Sequence, residues 1–251
     1  MTTATSATVA APSPAVAVRS LRVNIGGSHI LRGVDLTVPA GGVTALLGRN
    51  GVGKTTTLRA LIGLAPASGD VAILGRAVHG WATHKIIRLG VGYVPEDRDV
   101  FAKLTVAENL RIAETGPAAG GDYDRVYALF PELKQRHRQL AGTLSGGQQQ
   151  MLAIGRVLLV SRPLLLVDEP TKGLSPKFVG EVVDVLERVR QTATILMVEQ
   201  NVHVVRRLAQ RVVVLDHGAV SYAGDAAALA DEDLVRRLLG VSTGSTAGGS
   251  T

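Results

Sequence analysis

Cysteine is absent from the 251-residue chain, and aromatic residues make up only 3% of it. Without cysteine the chain can form no disulfide, has no thiol nucleophile and offers no thiolate to a metal. The scarcity of aromatics leaves core packing to leucine, valine, isoleucine and alanine, within the 46% of residues that are hydrophobic. No apolar run reaches the roughly 18 residues that span a bilayer, so the sequence predicts no transmembrane segment.

The charge balance is basic, with a formal net charge of +6. Three explanations are open: a nucleic-acid surface, attraction to an anionic membrane, or solubility alone. Basic residues form no dense run, and aromatic residues do not alternate with them as base-stacking side chains would. We therefore expect no nucleic-acid partner.

Low-complexity segments stand at both ends of the chain. Residues 1–15 are rich in alanine, threonine, serine and proline and lack the regions of a signal peptide, while residues 242–251 are mainly glycine, serine and threonine. Such segments bury too little apolar surface to fold, so both are predicted to be disordered tails. A single domain is predicted over residues 16–241.

Alternation of short apolar runs with helical patterns predicts an α/β fold. Residues 16–38 are predicted to form two antiparallel strands joined at Gly26-Gly27, and residues 43–47 a buried strand followed by a helix. From residue 97 to about 155 the pattern is helical and polar, which predicts an inserted helical subdomain. The core should be a mainly parallel sheet with helices on both faces. Later predicted elements are strands ending at residues 94, 168, 198 and 215 and a helix over residues 178–189.

Residues 48–55, GRNGVGKT, match the phosphate-binding pattern G-x-x-x-x-G-K-[ST] in full. Glycines let backbone N–H groups approach phosphate oxygens, and the start of the following helix adds its positive end. Lys54 can reach the outer phosphates, and the Thr55 hydroxyl can ligate Mg²⁺. The predicted nucleotide-binding residues of this P-loop are Gly48, Arg49, Asn50, Gly51, Val52, Gly53, Lys54, Thr55 and Thr56.

An acidic pair closes the apolar strand in LLLVDEP. Asp168 can hold Mg²⁺, and Glu169 can polarise a water for attack on the terminal phosphate. A solvated acidic pair at a strand end is the alternative, but the P-loop in the same chain favours catalysis. The pair therefore predicts a site that hydrolyses a nucleoside triphosphate.

The pentapeptide LSGGQ, residues 144–148, has two interpretations. Ser145 can cap the helix that follows, with the glycines as its entry loop. A glycine-rich helix start with a hydroxyl is also a second anion site, and a facing subunit could supply its phosphate.

The P-loop, the LSGGQ and LLLVDEP motifs and the GLSP stretch at residues 173–176, in this order, resemble the nucleotide-binding subunit of an ABC transporter. The resemblance covers nearly all of residues 16–241. It implies a RecA-like P-loop NTPase core with an N-terminal antiparallel β subdomain. It also implies a head-to-tail dimer that holds two ATP molecules with Mg²⁺, in which Ser145, Gly147 and Gln148 bind the ATP of the facing subunit.

A closer similarity is to the ATPase subunits of branched-chain amino acid importers, with urea and short-chain amide importers next. The stretches that carry it are GYVPEDRDVFAKLTVAENL, LSGGQQQMLAIGR and MVEQN. It implies ATP hydrolysis that drives import of branched-chain or other small apolar amino acids, at the cytoplasmic face of the plasma membrane. The implied partners are two membrane permease subunits, a sister ATPase subunit or a second copy of this chain, and, indirectly, an extracellular solute-binding protein.

Residues 96–104 are where the family resemblance places the contact with the permeases. Phe101 and Leu104 are the candidate apolar contacts of this segment. The alternative is that both side chains pack internally.

Three positions depart from the general ABC pattern. Glu96 replaces a glutamine and is expected to ligate Mg²⁺, and Gln200 replaces the switch histidine and is expected to sense the terminal phosphate. Both replacements also occur in the branched-chain importer type. Ile25 stands where an aromatic residue usually stacks on adenine, so roughly 1 kcal/mol of stacking is expected to be missing. Glu169 is expected to remain the general base, with Lys54 and Gln200 as its catalytic partners.

Three alternatives stay open on the sequence alone. A non-transport ABC ATPase usually carries two cassettes or a long coiled-coil insertion, whereas this chain has one cassette and a short helical insertion. A P-loop kinase would leave LSGGQ unexplained. A regulatory module that binds ATP without useful hydrolysis is kept open by the three departures.

Overall fold

The computed structural model describes residues 13–114 and 120–240, so most of both predicted tails lies outside the described residues. The strands are β1 (Val16–Ile25), β2 (Ser28–Val38), β3 (Val43–Leu47), β4 (Ala67–Ile73), β5 (Arg76–Ala77), β6 (Val91–Val94), β7 (Leu164–Asp168), β8 (Thr194–Val198), β9 (Arg211–Asp216) and β10 (Ala219–Asp225). The helices are α1 (Lys54–Leu61), α2 (Thr83–Ile87), α3 (Val106–Ile112), α4 (Tyr123–Leu129), α5 (Pro131–Gln135), α6 (Gly146–Leu158), α7 (Pro176–Val189), α8 (Val202–Leu208) and α9 (Glu232–Leu239).

An antiparallel sheet of order β2-β1-β4-β5 contains the N-terminal strands. β1 and β2 pair as the predicted hairpin, and Gly26 and Gly27, at φ 55° and 81°, supply the left-handed positions of its tight turn. β4 and β5 are not evident from the sequence, because β4 begins with small and polar residues and β5 has only two residues. The amide of Ala15, assigned to the tail by sequence, donates to the Val38 carbonyl and extends this sheet.

The central sheet has the order β10-β9-β3-β8-β7-β6. Its inner pairs are parallel, and β10 adds an antiparallel edge strand beside β9. Every residue of β3, β7 and β8 is buried, because elements cover both faces of a parallel sheet. The predicted mainly parallel α/β core is confirmed.

Alternate side chains of the central strands enter two hydrophobic cores. Leu46, Leu166 and Val198 share one core with α1 and the antiparallel sheet. Ala45 and Val167 belong to the other core, with residues of α6, α7 and α8. This division follows from the two-residue period of a strand, and it places helices on both faces of the sheet.

The chain between β6 and β7 forms α3 to α6, as its helical pattern predicts. Val126 and Leu133 pack against α6 at Gly155, where a Cβ would lie 3.2 and 3.3 Å from their side chains. α6 continues past residue 155 to Leu158, and the division into subdomains stays a prediction. In residues 13–114 and 120–240 no helix combines the length and the apolar character needed to cross a membrane.

The start of α7 differs from the prediction. The helix begins at Pro176 and not at residue 178, with Ser175 as the residue before it. Proline is well suited to the first helical position, since its φ angle is already helical and its missing N–H has no partner there. β7 and β8 end at Asp168 and Val198, the ends predicted for them.

The carboxyl ends of four parallel strands bring the candidate site segments together. The P-loop follows β3, Glu96 follows β6, Glu169 follows β7, and Glu199 and Gln200 follow β8. Ligands of open α/β sheets bind outside this edge, because the loops that face them start there. The fold therefore places the predicted site residues along one edge of the central sheet.

Candidate functional site

The P-loop requires glycine where the backbone passes close to other segments. A Cβ on Gly48 would lie 2.4 Å from the Leu215 carbonyl oxygen, and a Cβ on Gly53 would lie 2.5 Å from the Leu31 side chain. α1 starts at Lys54 without a side-chain cap, which leaves its first N–H groups to bind an anion. The loop therefore has the geometry of a phosphate-binding site.

The Lys54 ammonium is buried against the P-loop. It donates to the carbonyl oxygens of Gly48 and Arg49 at 2.9 and 3.0 Å and lies 3.6 Å from Glu169 Oε1. Burial lowers the pKa of Lys54, although the nearby charge of Glu169 opposes this shift. Lys54 is thus a desolvated cation that can exchange carbonyl partners for stronger, charge-assisted bonds to phosphate oxygens.

Asp168 is fully buried at the end of β7. Its Oδ1 accepts a hydrogen bond from the Thr55 hydroxyl at 3.0 Å, and its Oδ2 accepts one from the Tyr93 hydroxyl at 3.4 Å. Burial raises the pKa of Asp168 to about 6, because desolvation outweighs the opposing effect of the Thr55 bond. Burial also raises the pKa of Tyr93 to about 12, so this side chain is a neutral donor.

The pair of Thr55 and Asp168 fits a magnesium ion. Both offer oxygen atoms, which Mg²⁺ prefers, and these atoms lie 3.0 Å apart. A divalent cation would offset the desolvation of Asp168, whose hydrogen-bond partners here are hydroxyl groups. Within the described ranges, no group of three or more His, Cys, Asp and Glu side chains forms a metal cluster.

Glu169 has a left-handed backbone at φ 44°, which is uncommon for a residue other than glycine. Its N–H donates to the Val198 carbonyl oxygen at 2.9 Å and so connects the ends of β7 and β8. Gln200 Nε2 donates to Glu169 Oε1 at 2.5 Å, and Lys172 Nζ lies 3.5 Å from Oε2. The predicted base is therefore surrounded by Lys54, Lys172 and Gln200.

Glu96 is half-buried and forms an ion pair with Lys172. Lys172 therefore bridges Glu96 and Glu169. No hydrogen bond between described residues joins Glu96 to Thr55 or Asp168. The ion pair with Lys172 uses Oε1 of Glu96, and the metal-ligand role of Glu96 stays a prediction.

The LSGGQ motif starts α6, as its structural interpretation predicts. Ser145 Oγ accepts from the Gln148 N–H at 3.3 Å, and Gln148 Oε1 accepts from the Ser145 N–H at 3.0 Å, which forms a capping box. Gly147 is buried beneath Phe178, where a Cβ would lie 2.3 Å from the ring. No hydrogen bond or ion pair in the described part of the chain joins this motif to its own P-loop. Its role towards a facing subunit stays a prediction.

Ile25 lies at the end of β1 with 50% of its surface exposed. Its hairpin continues into Ile30 and Leu31, which lie against Gly53. The adenine contact expected for Ile25 stays a prediction. A pocket beside the P-loop is lined by Leu47, Gly48, Arg49, Asn50, Gln200, Leu239 and Gly240.

Two residues join the site without having been assigned a role from the sequence. Glu199 is 3% exposed and, like Glu169, is an acid that follows a buried apolar strand, so the same signal is available for it. Lys172 has no comparable signal, because its partner Glu96 lies 76 residues away in the chain.

The fold and the site together define a P-loop ATPase, and known proteins give its family. Residues 31–172 match the model of the ABC transporter family. The chain is 42% identical over 168 residues to the high-affinity branched-chain amino acid transport ATP-binding protein BraG of Pseudomonas aeruginosa, covering 62% of this chain and 69% of that protein. The chain belongs to the ABC transporter family.

A second relative and a solved structure extend the comparison. The chain is 38% identical over 228 residues to the probable branched-chain amino acid transport ATP-binding protein LivF of Archaeoglobus fulgidus, covering 88% of this chain and 97% of that protein. A dimeric ATP-binding cassette in a post-hydrolysis state with ADP and Pi has the same fold, with a TM-score of 0.75 at 22% identity, covering 84% of this chain and 98% of that one. The predicted family and fold class are confirmed.

Asp168→Asn should stabilise the chain near neutral pH when nucleotide and Mg²⁺ are absent. Burial raises the Asp168 pKa in the folded chain from 3.8 to about 6. The folded state therefore binds this proton more tightly than the unfolded state, and stability falls as the pH rises through this interval. Above this pH interval the ionised Asp168 carboxylate lowers the free energy of unfolding by on the order of 2 kcal/mol. Asparagine removes this cost.

The measurement is thermal unfolding with EDTA at pH 7.5 and pH 4. The Tm of Asp168→Asn should exceed that of the wild type by about 5 °C at pH 7.5 and by little at pH 4. Asp216→Asn, at the exposed end of β9, is the control and should show no such difference. A Tm below the wild type at both pH values would contradict the prediction.

Proposed function

We propose that the chain binds and hydrolyses ATP as a subunit of an ABC importer for branched-chain or other small apolar amino acids. The observation that carries the proposal is the Glu169 carboxylate, which contacts both Lys54 and Gln200 beside a complete P-loop. A base next to a phosphate-binding lysine is the arrangement that hydrolysis needs. The cargo is supported by BraG and LivF, both described as branched-chain amino acid transport proteins.

Hydrolysis requires a base for the attacking water and positive charge near the phosphate oxygens. Gln200, Lys54 and Lys172 hold both oxygens of Glu169 in the nucleotide-free chain. Once Lys54 contacts phosphate, Glu169 Oε1 loses one of these partners and can accept a proton from water. Gln200 acts as a neutral donor that orients the water or the terminal phosphate. A histidine at this position would change its charge near pH 6.5, whereas glutamine does not. Thr55 and Asp168 would hold Mg²⁺, which would supply further positive charge to the phosphates.

A facing subunit completes each ATP site in this proposal. Ser145 is exposed at the start of the 13-residue helix α6, where the helix dipole favours negative charge. Ser145, Gly147 and Gln148 would therefore contact the terminal phosphate of ATP bound to the other subunit's P-loop. The facing subunit is a sister ATPase or a second copy of this chain.

Residues 96–104 are proposed to contact the permeases. Phe101 is 45% exposed, and the Arg156 guanidinium lies 4.8 Å from the centre of its ring. The buried Asn109 side chain accepts from the Phe101 N–H at 2.9 Å and donates to the carbonyl oxygens of Phe101 and Leu104 at 3.0 and 3.3 Å. These bonds support an exposed apolar side chain on a fixed backbone, which suits a docking surface.

The complete transporter would contain two permeases and two ATPase subunits at the cytoplasmic face of the membrane, with an extracellular solute-binding protein that delivers the cargo. A urea or short-chain amide importer is the second candidate, because the MVEQN and LSGGQQQ stretches are similar in that group. A non-transport ABC ATPase would hydrolyse ATP without permeases. Copurification with permeases and transport of labelled amino acids therefore separate the candidates.

Glu169→Gln tests the proposed base. Turnover of the assembled transporter should fall about 100-fold or more, because glutamine cannot accept the proton, while ATP binding persists. Phosphate release and equilibrium ATP binding are the measurements. Glu181→Gln on α7 is the matched control and should retain turnover. Near-normal turnover of Glu169→Gln would exclude Glu169 as the base.

Ser145→Asp tests the shared site. Aspartate preserves the helix cap, so the fold should persist, but its charge repels the terminal phosphate across the interface. Hydrolysis by the complete complex should fall at least about 10-fold, while the isolated chain still binds ATP at its own P-loop. Ser145→Asn has the same shape as Ser145→Asp without its charge and should lose less activity. Equal activity of the two variants would contradict a shared site.

Phe101→Asp tests the permease contact. A charge on this exposed ring position should weaken copurification with the permeases and leave ATP binding by the isolated chain intact. Leu64→Asp provides a control at another exposed apolar position, with 55% exposure. If copurification is the same for both variants and the wild type, Phe101 does not belong to the docking surface.

A further inference from the structure

Glu199 is a buried carboxylate that the proposed mechanism does not use. It follows β8, is 3% exposed, and has no ion-pair partner among the described residues. An unpaired buried charge is costly unless hydrogen bonds replace its water. Its four hydrogen bonds come from two different segments of the chain, so Glu199 connects these segments.

One oxygen of Glu199 binds the turn after the predicted base. Oε1 accepts from the Thr171 N–H at 3.3 Å and from the Thr171 hydroxyl. This turn begins at Glu169, and the Lys172 N–H donates to the Glu169 carbonyl oxygen at 3.1 Å. Glu199 therefore fixes the turn two residues beyond the base.

The other oxygen binds the segment that carries the phosphate sensor. Oε2 accepts from the N–H groups of Gln200 and Asn201 at 2.8 and 3.0 Å. The Asn201 side chain then caps α8 by accepting from the His203 N–H at 3.1 Å. The backbone of Gln200 is thus held from one side by Glu199 and from the other by a helix start.

These bonds close a ring around the base. Gln200 Nε2 donates to Glu169 Oε1 at 2.5 Å, and the Glu169 N–H donates to the Val198 carbonyl oxygen at 2.9 Å. The φ angle of 44° at Glu169 is unfavourable for a non-glycine residue. Such a conformation persists only when its surroundings enforce it, and Glu199 binds both segments that enforce it.

We propose that Glu199 is a positioning residue, which holds the turn of Glu169 and the segment of Gln200 in one rigid frame. Glu199 touches no reacting atom. Glutamate suits this position because donors face both of its side-chain oxygens, whereas the amide group of glutamine would direct N–H donors at other donors. The inference rests on the proposed ATPase function and adds a residue to it.

The first test is Glu199→Gln in the full-length chain assembled with its permeases. The kcat for ATP should fall at least about 10-fold because the base and the sensor lose their alignment. The KM, and the ATP affinity of the isolated chain, should stay within about two-fold, since Glu199 makes no bond to the P-loop. Glu187→Gln on α7, where Glu187 is half-buried and pairs with Arg207, is the matched control and should retain the wild-type kcat.

A second pair of variants decides the matter if Glu199→Gln does not fold. Thr171→Ser keeps the hydroxyl that donates to Glu199 and should keep kcat within about two-fold, while Thr171→Val removes it and should lower kcat several-fold. Thr192→Val removes a hydroxyl of the same kind, bonded to the Val189 carbonyl oxygen, and serves as the control. In the double variant of Thr171→Val and Glu199→Gln the two losses of kcat should not add, because both substitutions disturb the same contact between Thr171 and Glu199.

The inference is overturned if Glu199→Gln folds and keeps kcat within two-fold. It is also overturned if Thr171→Val and Thr171→Ser have the same kcat, or if every variant lowers Tm and ATP affinity in step with kcat, as a purely structural role would do. ATP turnover of the wild-type complex tests the proposed ATPase function independently of Glu199. Absence of turnover in the wild-type complex would refute the ATPase proposal, whereas a change in the ratio of variant to wild type concerns Glu199 alone.

Discussion

The arrangement of the site depends on the hydrogen bond between the end of β7 and the end of β8, from the Glu169 N–H to the Val198 carbonyl oxygen. It fixes the left-handed turn that directs the Glu169 carboxylate towards Lys54 and Gln200. These three side chains come from different strand ends, and only parallel strands in the observed order bring their carboxyl ends together. Sheet order is thus the constraint on which the chemistry depends.

Burial gives the site its electrostatic character. Asp168 and Lys54 are charged groups removed from water, and for both the desolvation is the main cause of the pKa shift. Their protein partners are hydroxyl groups for Asp168 and, besides Glu169, backbone carbonyls for Lys54. A polyphosphate with its metal ion would offer each of them a stronger partner. Such binding would relieve an electrostatic cost that is already present in the folded chain.

Site residues that belong to a local sequence pattern are predictable from the sequence, whereas contacts between distant residues are not. Lys54 and Asp168 are predictable because a glycine-rich loop or an apolar strand beside them defines their environment within a few residues. The ion pair of Lys172 with Glu96 is not predictable, since it joins residues far apart in the sequence. Glu199 lies between these cases: its position after β8 was visible, but its bonds to Thr171 arise only from the packing of two loops. β4 was missed because its polar start hides the period of a strand.

Phe178, which covers Gly147, stands in the first turn of α7 and leaves no room for a Cβ beneath its ring. α7 begins at Pro176, and residues 173–175 join it to the turn that contains Glu169 and Thr171. A shift of that turn would move the start of α7, and the Phe178 ring would then press against the first residues of α6. Phe178 therefore connects the segment that follows the Glu169 turn to the first turn of α6, which carries the LSGGQ motif.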